Sequence, residues 1–166
     1  MIMNVGFERK EQKDEWLTPP AIIEALGHFD LDPCSPIGRP WDTADRHFTI
    51  EDDGLNQEWV GRVFCNPPYG TQTKYWLNKC AEHGNGIALV FARTETKMFF
   101  ESIWPKADAV FFIKGRLSFH SVDGKKGGTA GAPSVLIAYG KDNADMLKKI
   151  TLKGCFVDLS NKTINE

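Results

Sequence analysis

Three apolar runs in the second half of this 166-residue chain constrain its fold more than any other feature. Residues 87–91 and 109–113 carry only apolar side chains, and residues 134–139 form a third run between serine and tyrosine. Runs of this length are typical of strands that are buried on both faces of a sheet. A helical pattern at residues 74–83 precedes the first run. Strands therefore alternate with helices, which predicts an α/β fold.

Shorter patterns complete this prediction. The remaining predicted elements are helices at 20–26, 94–104 and 143–150, and strands at 29–32, 48–50, 63–65 and 155–159. Thr18 is the expected N-cap of the first helix, and Gly27 is expected to end it. A glycine-rich loop joins the strands at 109–113 and 134–139, so we expect these two strands to form a C-terminal antiparallel hairpin at one edge of the sheet.

Length and composition exclude several classes of protein. The length suits one domain at residues 15–166, preceded by a frayed tail at residues 1–14. No apolar stretch reaches the roughly 18 residues of a membrane span, and the polar N-terminus lacks the apolar segment of a signal peptide. The four cysteines form no Cys-x-x-Cys pair and the four histidines are scattered, so we predict no metal site and no disulfide framework. These features favour a reducing cytoplasm.

Charge is unevenly distributed along the chain. Residues 1–60 hold 5 Lys/Arg and 13 Asp/Glu, a net −8, whereas residues 61–166 hold 15 Lys/Arg and 9 Asp/Glu, a net +6. An acidic half suits a cationic cofactor such as a sulfonium, and a basic half suits a phosphate backbone. Chance clustering of surface charge is the alternative explanation.

The segment Asn66-Pro67-Pro68-Tyr69 follows the short apolar strand at 63–65 and carries the strongest chemical signal. An exocyclic amine such as adenine N6 is a poor nucleophile because its lone pair is delocalised into the ring. The side-chain oxygen of Asn66 and the carbonyl of Pro67 can accept from its two N–H groups and localise that lone pair. The two prolines fix the backbone, so the carbonyl is oriented in advance.

Tyr69 can then stack on the captured base. The tetrapeptide after an apolar strand is typical of amino-methyltransferases, and we predict that Asn66, Pro67, Pro68 and Tyr69 form the catalytic site. The same four residues serve enzymes that methylate a glutamine amide or a guanine amine, so the acceptor stays open. A proline-stiffened turn without catalytic function is the structural alternative.

Seven segments carry a wider resemblance, in order over roughly residues 14–140. They are 15–19, 29–34, 49–55 with Trp59, 64–70, 76–77, 88–94 and 112–119. The chain resembles DNA N6-adenine methyltransferases of the small phage and prophage type, which are Dam-like. The resemblance implies a Rossmann-like S-adenosylmethionine methyltransferase sheet, transfer of the methyl group to adenine in double-stranded DNA by base flipping, and a bacterial host cytoplasm. The short spacing between Asp32 and Asn66 indicates that the usual sheet is trimmed.

The resemblance also implies a set of residues that bind the cofactor. They are Trp16, Thr18, Pro19, Asp32, Pro33, Cys34 and Asp53. Trp16, Thr18 and Pro19 would cover the amino-acid part of S-adenosylmethionine from one side. Asp32, Pro33 and Cys34 would contact it from the other side. Asp53, or its neighbour Asp52, would bond the ribose hydroxyls or the adenine amine. The alternatives are that Asp32 caps backbone amides at its strand end and that Trp16 closes the core.

DNA contacts are predicted from the basic residues of the second half. The candidates are Arg93, Lys114, Arg116, Lys125 and Lys126. Residues 125–129 are the best candidate for a loop that binds the phosphate backbone, although exposed lysines are often only solvated. The sequence leaves two further functions open. One is amino-methylation of a protein glutamine or an RNA base, and the other is DNA binding without catalysis by the same fold.

Overall fold

The structure of the protein is a computed structural model that describes residues 16–166. The tail predicted at residues 1–14 lies outside the described residues. The strands are β1 (Leu31–Asp32), β2 (Arg46–His47), β3 (Val63–Cys65), β4 (Gly86–Phe91), β5 (Ala109–Ile113), β6 (Ser118–His120), β7 (Lys126–Thr129), β8 (Ser134–Tyr139) and β9 (Gly154–Asp158). The helices are α1 (Pro20–Leu26), α2 (Thr73–His83) and α3 (Lys141–Lys148), with a 3-10 turn at Gly54–Asn56 and a π-helical turn at Phe99–Ile103. None of the helices in this part of the chain is long and apolar enough to cross a membrane.

Seven strands form one mixed sheet in the order β2-β1-β3-β4-β8-β5-β9. Strands β2, β1, β3 and β4 pair in parallel, whereas β8 is antiparallel to both β4 and β5, and β9 is antiparallel to β5. Strands β6 and β7 form a separate two-stranded hairpin. The predicted α/β architecture is therefore confirmed at the level of a mixed sheet with few helices.

Strands β5 and β8 pair antiparallel, but they do not form the edge of the sheet as the sequence predicted. Strand β8 lies between β4 and β5, and β9 occupies the edge. All six residues of β8 are buried, so this strand needs a partner on each side. Strand β9 is mostly exposed, which suits an edge position.

Two apolar layers cover the two faces of the sheet. Along β4, Ile87 and Leu89 face one layer while Ala88 and Val90 face the other. This alternation follows from the two-residue period of a strand. Both layers are buried, which explains why the run at 87–91 is apolar without interruption. Each large side chain so buried stabilises the fold by roughly 1.5–3 kcal/mol.

Several shorter elements differ from the prediction. The helix predicted at 94–104 is a π-helical turn at Phe99–Ile103. The strand predicted at 48–50 occurs earlier, at Arg46–His47. The glycine-rich stretch predicted as a loop contains strand β7, which pairs with β6. By contrast, helix α1 and strands β3, β5 and β8 have the predicted bounds.

Candidate active site

Two adjoining cavities open at the carboxyl ends of β1, β3 and β4, where ligands bind in open α/β sheets. The larger cavity, of about 250 Å³, lies between the turn after β1 and the loop that holds the 3-10 turn. The smaller cavity, of about 200 Å³, lies between the turn after β3 and the end of β4. Trp16, Asn66 and Pro68 line both cavities. The two cavities therefore meet at Asn66.

Asn66 follows buried strand β3, and its side chain is oriented by one hydrogen bond. Its Nδ2 atom donates to the hydroxyl oxygen of Thr18 at 3.2 Å. Among the described residues, neither Asn66 Oδ1 nor the Pro67 carbonyl accepts a hydrogen bond. The two acceptors that the sequence predicted are therefore available to an external N–H group.

The far end of the tetrapeptide is fixed by the start of helix α2. The Thr73 hydroxyl donates to the Pro68 carbonyl at 2.7 Å, and the Gly70 N–H donates to the Thr73 oxygen at 3.1 Å. Thr73 is itself almost fully buried. The Pro68 carbonyl therefore accepts a hydrogen bond within the turn, whereas the Pro67 carbonyl accepts none from the described residues.

Tyr69 stands at the mouth of the smaller cavity with 43% of its surface exposed. Its ring contacts the ring of Phe91, with centroids 4.4 Å apart and planes inclined by 36°. The main-chain N–H of Phe91 donates to the Tyr69 hydroxyl. Burial raises the pKa of Tyr69 well above its ordinary value. The contact with Phe91 thus holds the ring of Tyr69, and the hydrogen bond holds its hydroxyl group.

Asp32, a predicted cofactor ligand, lines neither cavity. Its carboxylate accepts from the Cys34 N–H at 3.2 Å and from the Thr43 hydroxyl. Burial raises its pKa to about 6, although the bonds from Thr43 and Cys34 oppose that shift. The structure therefore places Asp32 behind the turn, where it caps a backbone amide, which was the alternative reading of this residue.

Pro33 and Cys34, two of the residues predicted to contact the cofactor, line the larger cavity. The Cys34 thiol donates to the main-chain oxygen of Asn66 at 3.2 Å, and its sulfur lies 3.7 Å from that of Cys65. Both cysteines are free thiols. Cys34 thus joins the turn after β1 to the turn after β3.

Asp53 also lines the larger cavity, whereas Asp52 does not. Asp52 instead caps the Thr49 N–H at 2.8 Å. Next to Asp53, a Cβ atom on Gly54 would lie only 2.0 Å from the Pro33 carbonyl oxygen. Only glycine allows these two backbones to approach so closely, so Gly54 sets the position of Asp53 opposite the turn after β1.

Trp16 lines both cavities, but Thr18 and Pro19 line neither. Leu17 exchanges two main-chain hydrogen bonds with His120 of strand β6, at 2.7 and 3.0 Å. Thr18 makes no capping bond to helix α1, whose N-cap position is Pro19. The predicted N-cap was wrong because the helix begins at Pro20, which makes Pro19 the N-cap residue. The Thr18 hydroxyl accepts from Asn66 instead.

Several lining residues were not predicted from the sequence. They are Ser35, Pro36, Thr49, Ile50 and Trp76 in the larger cavity, and Phe91 and Phe119 in the smaller one. Trp76 and Phe91 belong to apolar patterns that are indistinguishable from core positions in the sequence. Ile50 is 83% exposed. Its position as a single apolar residue in a polar turn is the sequence feature that could have identified it as a lining residue.

The five predicted DNA contacts are all exposed and lie outside both cavities. Lys125 lies at the turn of the β6–β7 hairpin and forms an ion pair with Asp123 at 3.8 Å. Lys126 opens strand β7. Phe91 and Phe119 line the smaller cavity. Arg93 lies two residues after Phe91 in the sequence, and Arg116 lies three residues before Phe119.

One group of potential metal ligands occurs among residues 16–166. Atoms of His28, Asp30 and Asp45 lie within 4.8 Å of one another. His28 Nε2 is already hydrogen-bonded to Asp45 at 2.8 Å, and Asp30 accepts from the Arg62 N–H at 2.7 Å. These residues precede β1 and β2, at the opposite end of the strands from the cavities.

Comparison with known proteins identifies the family. A family model described as DNA N-6-adenine-methyltransferase (Dam) matches residues 7–153. Comparisons with curated proteins and with solved structures find no match. The matched range includes every described residue that lines the two cavities and the whole β6–β7 hairpin. The chain therefore belongs to the DNA N-6-adenine-methyltransferase (Dam) family.

Proposed function

We propose that the protein transfers a methyl group from S-adenosylmethionine to N6 of an adenine that is flipped out of double-stranded DNA. Membership of the Dam family implies adenine N6 methylation of DNA. The observation that carries the finer proposal is the meeting of two cavities at Asn66, whose side-chain oxygen accepts no hydrogen bond from the described residues. One cavity would take the methyl donor and the other the base.

Asn66 and Pro67 would activate the adenine amine. Asn66 Oδ1 accepts from one N–H group and the Pro67 carbonyl accepts from the other, which localises the nitrogen lone pair. Both acceptors are held before the substrate arrives, so little reorganisation is needed during reaction. Methylation makes the nitrogen acidic, and it then releases its proton to water. No general base is required.

The larger cavity has the chemistry expected for S-adenosylmethionine, which supplies an electrophilic methyl group on a sulfonium. Its walls are mainly apolar and include the rings of Trp16 and Trp76. Asp53 is the charged residue among its described lining residues, and a carboxylate favours a cationic ligand. We propose that Trp16, Pro33, Cys34 and Asp53 contact the donor. Thr18, Pro19 and Asp32 would act only through the residues that they hold.

The smaller cavity suits a flipped base. Trp16, Tyr69, Phe91 and Phe119 surround it with aromatic rings. Stacking on such rings is worth roughly 1–3 kcal/mol per base, which offsets part of the few kcal/mol that extruding a base costs. The exposed basic residues near the hairpin and after β4 would bind the phosphate backbone on either side of the extruded base.

Sequencing of modified bases tests this proposal directly. The protein is expressed in a host that lacks DNA methylation, and its genome is read for N6-methyladenine. The wild type should introduce this base, Asn66→Ala should introduce far less of it, and Asn161→Ala, at an exposed asparagine outside the cavities, should match the wild type. Methylation of protein glutamine or RNA, with unmodified DNA, would overturn the choice of acceptor. Unmodified products in every arm would overturn the proposed activity.

A further inference from the structure

We infer that Thr18 is a positioning residue that orients the Asn66 side chain, and that the β6–β7 hairpin holds Thr18 in place. This inference rests on the proposed function, because it assigns Thr18 to the acceptor side of the reaction. It differs from the role that the resemblance implied, which was contact with the cofactor.

The two ends of the Asn66 amide face in different directions. Nδ2 donates to the Thr18 hydroxyl oxygen at 3.2 Å, so Oδ1 points away from Thr18. This bond anchors the amide at the end opposite Oδ1, and without it the side chain can turn away from this position. Oδ1 would then be displaced from the place where it accepts from the adenine N–H group. The Thr18 hydroxyl therefore fixes the direction in which Asn66 Oδ1 points.

Thr18 lies in the buried interior of the protein. Only 2% of its surface is exposed, and it lines neither cavity. Trp16, two residues earlier, lines both. Within residues 16–18, Trp16 is therefore the residue placed to contact a ligand, whereas Thr18 contacts the side chain of Asn66.

Residues 16–18 are held against the β6–β7 hairpin. Leu17 forms an isolated antiparallel bridge to His120 of β6 through two main-chain hydrogen bonds. A Cβ atom on Gly127 of β7 would lie 2.9 Å from the Trp16 ring, so glycine lets the ring rest on the hairpin. The ring of Trp41 packs edge-on against His120, with centroids 5.1 Å apart. The hairpin is thus anchored on one side and carries residues 16–18 on the other.

A pair of substitutions tests the role of Thr18 in turnover. Thr18→Val keeps the shape and removes the hydroxyl, whereas Thr18→Ser keeps the hydroxyl. We expect Thr18→Val to lower kcat by roughly tenfold to a hundredfold, since small displacements of a catalytic group cost up to about 10²-fold. The KM values for donor and DNA should stay near those of the wild type, and Thr18→Ser should recover most of kcat. A raised donor KM with unchanged kcat would overturn the inference in favour of a cofactor contact.

A spectroscopic measurement tests the same inference without any need for methyl transfer. The ¹⁵N side-chain amide signals of Asn66 are identified by their loss in Asn66→Ala. In the wild type and Thr18→Ser these protons should exchange slowly with water, and in Thr18→Val they should exchange at least tenfold faster. Equal exchange in all three proteins would overturn the inference, whatever the activity.

The amide of Asn143 provides the internal control for folding. It is buried and donates to Asn85 at 2.9 Å and to the Tyr139 carbonyl at 3.0 Å, far along the chain from Thr18. Its signals should be the same in every variant. Should Thr18→Val disturb them, Thr18→Ala replaces it as the variant without a hydroxyl, and the same two outcomes decide.

Discussion

The two cavities are built by different means. The larger one lies between two backbone turns, which buried polar groups and close contacts hold: Asp32 caps the turn after β1, and Gly54 fits against Pro33. The walls of the smaller one include aromatic side chains from four separate segments of the chain, and Tyr69 at its mouth is 43% exposed. A small donor can enter a preformed site. A base attached to DNA needs a site that stays open at the surface.

The comparison predicts which variants disturb one cavity and spare the other. Asn66 belongs to both and has the largest expected effect. Asn66→Ala should lower turnover by roughly 10²–10³-fold, by analogy with the removal of one preorganised polar group. Calorimetry with S-adenosylmethionine should show nearly unchanged affinity, since other residues form most of the larger cavity. Near-normal turnover would contradict the catalytic role of Asn66.

The rigidity of the larger cavity should depend on the buried carboxylate of Asp32. Its pKa of about 6 in the folded protein lies above the ordinary 3.8, so the folded state retains a proton that the unfolded chain has lost. The contribution of Asp32 to stability is therefore fully present below pH 3.8 and is lost as pH rises through about 6, by about 3 kcal/mol at most.

Urea unfolding at several pH values between 4 and 7 measures this change. Asp32→Asn should remove most of it, and the exposed Asp145→Asn should leave it in place. Equal pH dependence in the wild type and Asp32→Asn would show that Asp32 does not titrate in this range.

A substitution at Gly54 should change the larger cavity and leave the smaller one unchanged. A methyl group at this position collides with the Pro33 carbonyl, so Gly54→Ala must displace one wall of the larger cavity. Overpacking of this kind costs roughly 1–3 kcal/mol, and we expect donor affinity to fall by about tenfold. Affinity for DNA should change little. Gly131→Ala is the matched control, because a Cβ atom there meets open space. Loss of DNA affinity without loss of donor affinity would reverse the assignment of the two cavities.

The same contrast explains how much of the molecule the sequence predicts. Strands β5 and β8 have their predicted bounds because burial on both faces leaves a continuous apolar signal. The turn at Asn66 was equally visible, since two prolines must end a strand. These features are local, so a single sequence carries them.

Features that depend on distant partners were not predictable. The insertion of β8 between β4 and β5 depends on pairing across the sheet. Thr18 has the local pattern of an N-cap, but its hydroxyl bonds Asn66, 48 positions away. Asp32 at a strand end suits either a ligand or a backbone cap, and only its burial decides between them. Phe91 and Phe119 look like core residues although they line a cavity.

The aromatic walls of the smaller cavity have a different proposed role, which is stacking and not polar catalysis. Tyr69→Ala should raise the KM for DNA by roughly tenfold to a hundredfold, because stacking is worth roughly 1–3 kcal/mol. Tyr75→Ala is the matched control, since Tyr75 is 49% exposed and lies outside both cavities.

Tyr69→Phe refines this test. It keeps the ring but removes the acceptor for the Phe91 N–H, a bond worth about 1 kcal/mol in other proteins. The ring stays in contact with Phe91, so we expect the KM for DNA to rise no more than about fivefold and kcat to be nearly unchanged. A phenylalanine variant as impaired as the alanine variant would mean that the hydroxyl, by holding the ring against the end of β4, matters more than stacking. The smaller cavity would then resemble the larger one in depending on a fixed polar contact.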